Sequence, residues 1–431
     1  MKKLLSIIAS SALVTTSVTS VVACGNNKFT DIFLISDVGR INDKSFNESA
    51  YDGANKFLNE QLSITDQKIS YLLPTTTSEI EKQYDTARNN GAKTLLLPGF
   101  AHQEHVDHAQ EVIKDSGTAI LLDGSSNDNK DVIGVQFNSE MSGFYAGVAS
   151  ILYMIGQGER DIKLSAYGGL HNPTGVTNFI SGYMASIEFI NQLQNQEDKT
   201  TLDSLIKVFN PDKSSADLNS VSRVASQKNE PTKNDDQNWF SGSFGVGGGK
   251  AISEKLISEG ANIIFPVAGP QTEDTLGTIK ERNKEGKVFV VGVDTDQVQL
   301  YKNYKNYFIT SASKTLSMAT QAALINSKVY EGTVSKEDKA KYQGYEKDGT
   351  PISGPWDGHD VWFNGDISYG SDNKVSEENY RQLMALLEGA GEALSETYHE
   401  LTEGKNSAQE ILDSQIISKM GLAAAAATKK I

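Results

Sequence analysis

Short apolar runs and amphipathic stretches alternate along most of the chain. Phe29 to Ser36, Lys68 to Leu73, Thr94 to Leu97, Ala119 to Leu122 and Val132 to Phe137 have the length and β-branched content of strands. Phe46 to Gln61, Thr77 to Asn90 and Gln103 to Lys114 carry apolar residues at helical spacing between them. Strands that alternate with helices predict βαβ units and parallel sheets. Glu140 to Gly156 is a helix apolar on most faces, and the same rhythm follows it. Strands are predicted at Ile162 to Tyr167, Asn262 to Val267 and Val288 to Val293, with helices at Thr177 to Gln192, Gly248 to Glu259 and Glu273 to Glu285. Two copies of one α/β architecture are implied. Asn195 to Asn238 and Tyr330 to Pro351 are polar and weakly periodic, and read as surface insertions (about 195–238 and 330–351). The stretch from Glu377 onward reads as a helical tail.

The first residues have a different pattern. Lys2 and Lys3 precede an uncharged apolar run from Leu4 to Ala23, the layout of a secretory signal. The run ends Val21-Val22-Ala23-Cys24-Gly25, with small residues ahead of the only cysteine. This resembles a bacterial lipobox, in which the cysteine sulfur is acylated after cleavage before it. A plain membrane anchor is the alternative, since about twenty apolar residues can span a bilayer, but it gives no reason for the cysteine to stand at the small-residue cleavage site. Residues 1–23 are therefore expected to be a signal peptide, Cys24 the lipidation site and 24–28 a tether. The remainder would lie at the cell membrane, on the outer face of the cytoplasmic membrane.

Composition narrows the function. The 431 residues hold 40 basic and 55 acidic side chains for a formal charge of −15, which argues against a nucleic-acid surface. One cysteine excludes a disulfide framework and any multi-cysteine metal site. Gly245-Val246-Gly247-Gly248-Gly249-Lys250 is reminiscent of a phosphate loop, but the required first glycine falls on Phe244 and Ala251 replaces the hydroxyl residue. His102, His105 and His108 stand three apart on a predicted helix, which spreads them over a solvated face rather than around a metal. No nucleophile elbow occurs. With no assembled catalytic constellation, the chain is read as no enzyme, and with no cofactor.

Candidate binding residues gather where strands end. Ser36 to Glu48 carries Asp37, Asp43, Phe46 and Asn47 between a strand and a helix, with Ser45 and Glu48 spaced as a capping box. Such loops at strand carboxyl ends are where open α/β sheets bind ligands; the alternative is that Asp37 and Asp43 only cap turns. Pro98-Gly99-Phe100, Ser243-Phe244-Gly245, Ala268-Gly269-Pro270, Asp294 and Lys314 lie at other predicted strand ends. Aromatics, carboxylates and one lysine around a cleft suit a small polar ligand with a flat ring.

These residues match a known pattern. Asp37-Val38-Gly39 with Asn42-Asp43-Lys44-Ser45-Phe46-Asn47, Phe137-Asn138-Ser139-Glu140, Gly182-Tyr183, Gly292-Val293-Asp294-Thr295-Asp296-Gln297 and Ser311-Ala312-Ser313-Lys314 resemble the basic membrane protein family. Its members resemble purine nucleoside receptor lipoproteins, the substrate-binding components of ABC transporters. The two polar insertions and the extended tail depart from its pattern. The resemblance implies a type I periplasmic-binding-protein-like fold, with two Rossmann-like lobes joined by three crossings near Phe137 to Asn138, Ser311 and Gly332. Lobe 1 would comprise 29–137 plus 312–332, lobe 2 138–311 plus 333–400, and 401–431 a tail. It further implies that Phe46 and Phe244 sandwich a purine with Phe100 nearby, that Asp37 and Asp43 accept from the ligand, that Asp294 takes ribose hydroxyls and that Lys314 donates. Asn47 and Gly269 complete the expected site. The implied partners are a nucleoside ligand, ABC transporter permease subunits and the membrane through Cys24. A surface receptor or adhesin for another solute or a macromolecule is the alternative function.

Overall fold

The computed structural model describes residues 28–428 other than 38, 115 and 233–236. The expected signal peptide, tether and Cys24 lie outside them. Among the described residues no helix is long and apolar enough to cross a membrane.

Among the described residues, twelve strands form two six-stranded sheets. β1 (Lys28–Ile35), β2 (Lys68–Leu72), β3 (Thr94–Pro98), β4 (Thr118–Leu122) and β5 (Val132–Asn138) make the first, with a later strand, β11 (Asp360–Asn364), at its edge. The second contains β6 (Asp161–Gly168), β7 (Ser220–Arg223), β8 (Ile263–Val267), β9 (Phe289–Asp294), β10 (Phe308–Ser313) and β12 (Asp366–Ile367). Spatial order is β2-β1-β3-β4-β5-β11 in one and β7-β6-β8-β9-β10-β12 in the other, so the two lobes repeat one topology. Every pairing between these strands is parallel except β10 with β12. Parallel sheets are covered by helices on both faces, which is why β3, β4 and β8 are buried throughout and, but for Thr94 and Thr118 at the start of β3 and β4, apolar. Each lobe accordingly has two apolar cores, one per sheet face.

The order reverses beside β1 in the first lobe and beside β6 in the second. At such a switch point the connecting helices leave to opposite faces and open a crevice at the strand carboxyl ends. Ser36 and Gly99 occupy that place in one lobe, and Gly168 and Ala268 in the other.

The chain passes between lobes at Asn138–Ser139, between Ser313 and Leu316, and between Asn364 and Asp366. The third passage corrects the expectation of a crossing near Gly332 and of 333–400 as second-lobe chain. Residues up to Asn364 stay with the first lobe, because β11 pairs with β5 from Asp360 opposite Gly134 to Asn364 opposite Asn138. Gly365 then turns against Asn138 and Ser142, where a Cβ would collide with both. The segment 195–238 is also no simple insertion. It supplies the helix Thr200–Lys207 and β7, the edge strand that completes the second sheet. Alternating polar residues in Ser220-Val221-Ser222-Arg223 conceal it, as expected for an edge strand.

The C-terminal helices pack onto the second lobe instead of trailing from it. Met420, Ala424 and Ala425 of the helix Ser414–Ala427 are buried in its larger core. From the helix Ala390–Thr402, His399 Nε2 meets Asn138 Oδ1 at 3.0 Å, and Asn138 Nδ2 donates to Asn364 Oδ1 at 2.9 Å. Two of the three passages are thereby tied side by side.

Candidate functional site

The loop after β1 is organised by Asp43. Its carboxylate accepts from the backbone N–H groups of Ser45, Asn47 and Glu48 at 2.9 to 3.1 Å and from Asn47 Nδ2 at 2.9 Å. These are the unpaired donors at the start of the helix Phe46–Glu60, which a carboxylate satisfies well. Asp43 is thus a helix cap in this structure, with little acceptor capacity left. The Ser45–Glu48 capping box does not form. Glu48 accepts instead from the Lys44 N–H at 2.9 Å, and Ser45 Oγ leaves the helix to donate to Asp294 Oδ2 at 2.8 Å.

That last bond crosses between lobes, and others accompany it. Gln297 Nε2 reaches both the Lys44 and Gly269 carbonyls at 3.3 Å. Gly269 has φ +54, and its α-carbon faces Ser45 so closely that a Cβ would lie 3.4 Å from the hydroxyl oxygen. Lys314, 1% exposed, stands on the second passage between lobes. Its ammonium lies 2.8 Å from Asp123 Oδ2 of the first lobe and 3.8 Å from Asp294 Oδ1 of the second, and donates to the Gly175 carbonyl at 3.1 Å. It also lies 5.2 Å from the centre of the Phe46 ring and 5.0 Å from that of Phe179. A cation over ring faces in a desolvated place is held by the rings as well as by the carboxylates.

Asp37 sits over Gly99, whose φ of +112 and missing Cβ leave room for the carboxylate. It is reached by Asn47 Nδ2 at 3.5 Å. Burial pushes its pKa up to about 6 against that weak support, with Asp43 adding repulsion. Asp294, which has φ +66, is likewise pushed up to about 6 by burial, opposed chiefly by Lys314. Asp123 is raised from the same cause with the same opposition. Asp123 Oδ1 and Asn47 Oδ1 are buried acceptors with no hydrogen-bond partner among the described residues. The aromatic that meets Phe244 is Phe100, 6.0 Å away between ring centres and tilted by 59°. One ring comes from each lobe, so they meet across the cleft.

Asp37, Phe46, Asn47, Phe100, Phe244, Gly269, Asp294 and Lys314 are therefore brought to one inter-lobe cleft, with Asp43 behind them as the cap. The sequence reading missed Asp123, Ser45 and Phe179. Asp123 follows β4 as Leu122-Asp123-Gly124 and has φ +73, so the rule that singled out the other strand ends applies to it equally. Phe179 lies inside a helix and carries no such signal.

Two other motifs resolve differently. The N–H groups of Gly247 and Gly249 donate to Asp274 at 2.8 to 3.0 Å, so the glycine run caps itself on a carboxylate. The three histidines do not share a solvated face. His102 is fully buried, bonded through Nδ1 to Tyr84 Oη at 2.7 Å and pushed down to about 3 by burial, while His105 and His108 pair with Glu81 and Asp85. Among the described residues no cluster of metal-ligating side chains is present.

Two lobes of one topology, joined by three passages and meeting over a polar cleft, define a two-lobed solute-binding protein. A family model described as "ABC transporter substrate-binding protein PnrA-like" matches residues 32–193 and 242–369. The chain belongs to this Bmp family, and is a substrate-binding protein of an ABC transporter rather than an enzyme. It is 26% identical to an "ABC transporter nucleoside-binding protein BmpA" of Lactococcus lactis subsp. cremoris over 80% of this chain and 82% of that one. It is 23% identical to an "Uncharacterized lipoprotein MG040 homolog" of Mycoplasma pneumoniae, over 72% of this chain but only 59% of that longer protein. A crystal structure of an ABC transporter solute-binding protein from Aeropyrum pernix K1 superposes with a TM-score of 0.54 at 16% identity, covering 93% and 91% of the two chains. It shares the type I periplasmic-binding fold.

Proposed function

We propose that the cleft captures a nucleoside, with a purine as its base, and that the protein delivers it to its permease from a lipid anchor at Cys24. The observation that carries this reading is the set of acceptors facing one aromatic-lined cleft: Asp37, Asp123 Oδ1 and Asp294, with Asn47 Oδ1 beside them. Such a set calls for a ligand rich in N–H and O–H donors and with a flat face. Asp294 takes the ribose hydroxyls, since a carboxylate makes strong charge-assisted bonds to vicinal donors. Lys314 donates to the sugar or base, and Asp37 and Asp123 accept from the base edge. Phe46 and Phe244 stack on the ring with Phe100 beside them. Asp43 acts behind the site, holding the loop that presents Phe46 and Asn47. The nucleoside-binding relative and the lipoprotein relative support the ligand class and the anchor respectively.

Calorimetric titration of the full-length chain in detergent with nucleosides, free bases and sugars tests the ligand. One purine nucleoside bound per chain is the expected result. Heat from a free sugar or peptide, with none from any nucleoside, overturns it. Radiolabelled palmitate incorporated by the chain but not by its Cys24→Ser variant tests the anchor.

A further inference from the structure

A second polar site shares no residue with the cleft and lies at the edge of the second sheet. A groove of about 370 Å³ runs between edge strand β7, the helix Asn178–Asn195 and the helix Ser414–Ala427. Its polar lining is Asn191, Ser222, Arg223, Lys228, Ser414 and Ser418, with Glu188 at one side over an apolar floor of Ile187 and Val221. Arg223 is the anomaly. It is 8% exposed, yet its nearest acidic partner is Glu188, 4.0 Å from Nη2, and Nη1 is buried with no hydrogen-bond partner among the described residues. A guanidinium has five donors, and burying the cation without bonds for them is costly. Around it, the hydroxyls of Ser222, Ser414 and Ser418 make no side-chain hydrogen bond, and Lys228 forms no ion pair, among the described residues. The helix end contributes little by itself, because Asp413 already accepts from the Gln415 and Ile416 N–H groups.

We propose that this groove binds a phosphate group, carried by a small solute or by a phospholipid headgroup. Three unspent hydroxyls, one ammonium and a guanidinium match the acceptor-rich oxygens of a phosphate, and Arg is suited to its geometry. Glu188 keeps one edge of the guanidinium in place, and the phosphate supplies the acceptors that Nη1 lacks. An occupied groove would link the last helix to the edge strand that closes the second sheet.

Titration of the full-length chain in detergent with inorganic phosphate, glycerol phosphate and a short-chain phosphatidylglycerol tests this. The expected result is saturable binding of one phosphate group per chain, weakened about tenfold or more in Lys228→Gln and in Arg223→Lys. Binding of the free phosphates identifies a solute, and binding of the phosphatidylglycerol alone identifies a headgroup; either supports the site provided it is weakened in Lys228→Gln. Lys228 is exposed, so its variant keeps the test valid should Arg223→Lys disturb folding. Nucleoside titration should be unchanged in Lys228→Gln, which separates this site from the cleft. No saturable binding of any of the three ligands, or equal binding by parent and variants, overturns the proposal.

Discussion

Ser45 Oγ donates a 2.8 Å hydrogen bond to Asp294 Oδ2, joining residues 249 positions apart that belong to opposite lobes. The serine spends on the other lobe the hydroxyl that would ordinarily cap its own helix, and Asp43 takes over the capping. One loop thus divides two tasks, with Asp43 holding the helix and Ser45 holding the other lobe.

Replacing Ser45 with alanine should therefore shift the closure equilibrium and leave the fold intact. A hydrogen bond to a charged acceptor contributes about 1.5–3 kcal/mol, enough to change the closed fraction of a two-state pair severalfold or more. Small-angle scattering of the ligand-free variant should give a larger radius of gyration than the parent, with an unchanged far-ultraviolet spectrum. Equal radii would show that the bond does not hold the lobes.

The carboxyls of Asp37 and Asp294, raised to about 6 by burial against 3.8 when solvated, predict the pH dependence of binding. An acid with a raised pKa binds more protons in the closed form than in the open one between those values. The ligand-free closed form is therefore favoured at low pH, and that contribution is lost as pH rises through 6. A nucleoside donating to ionised carboxylates has the opposite preference and expels those protons. Affinity should rise between pH 5 and pH 7, with proton release on binding near pH 6. Calorimetry in two buffers of different ionisation enthalpy measures that release, and proton uptake would contradict the assigned contacts.

Phe244→Ala should weaken nucleoside binding by about 1–3 kcal/mol, the range for a base stacked on an aromatic ring. The loss should fall on purine and not on the corresponding free sugar. Because Phe100 meets Phe244 across the cleft, the variant also tests whether the two rings guard the ligand together. Unchanged affinity would remove Phe244 from the site.

Much of this cleft was readable from the chain because loops at strand carboxyl ends in a parallel α/β protein line the crevice, and apolar runs mark those ends. Asp37, Asp294 and Lys314 were found in that way. Asp43 stood between two readings in the sequence, since its spacing from Ser45 and Asn47 suits a cap as well as a ligand contact, and in the structure it caps the helix. The strand β7 and the third passage were hidden for a different reason. Ser220-Val221-Ser222-Arg223 has one apolar residue buried on one face, and β11 joins its sheet only through pairing with a strand more than two hundred residues earlier. Neither pairing leaves a local pattern.

Gly182→Ala should destabilise the second lobe. The helices Ser139–Gly156 and Asn178–Asn195 cross so closely that a methyl group on Gly182 would meet the Glu140 carbonyl. Backbone cannot yield as a flexible side chain does, so the overpacking cost of about 1–3 kcal/mol, or more, applies. Scanning calorimetry should show a lower unfolding temperature, whereas Gly245→Ala, where a Cβ meets nothing within 4 Å, should leave it unchanged.

Lys314→Met should reverse the sign of the pH dependence. The ammonium lies 2.8 Å from Asp123 and 3.8 Å from Asp294, and is the cation that opposes the burial-driven rise in both. Without it, closing the lobes buries two carboxylates with no compensating charge, and removing one partner of a buried pair costs about 3–5 kcal/mol. Nucleoside binding at pH 7 should fall by roughly two powers of ten or more, since 1.4 kcal/mol is tenfold. Protonating the carboxylates removes that repulsion, so binding by the variant should recover as pH falls to 5, where the parent protein weakens. Titrations of both proteins at pH 5 and pH 7 decide the matter. Parallel slopes would mean that Lys314 acts as a ligand donor alone and does not neutralise the cleft.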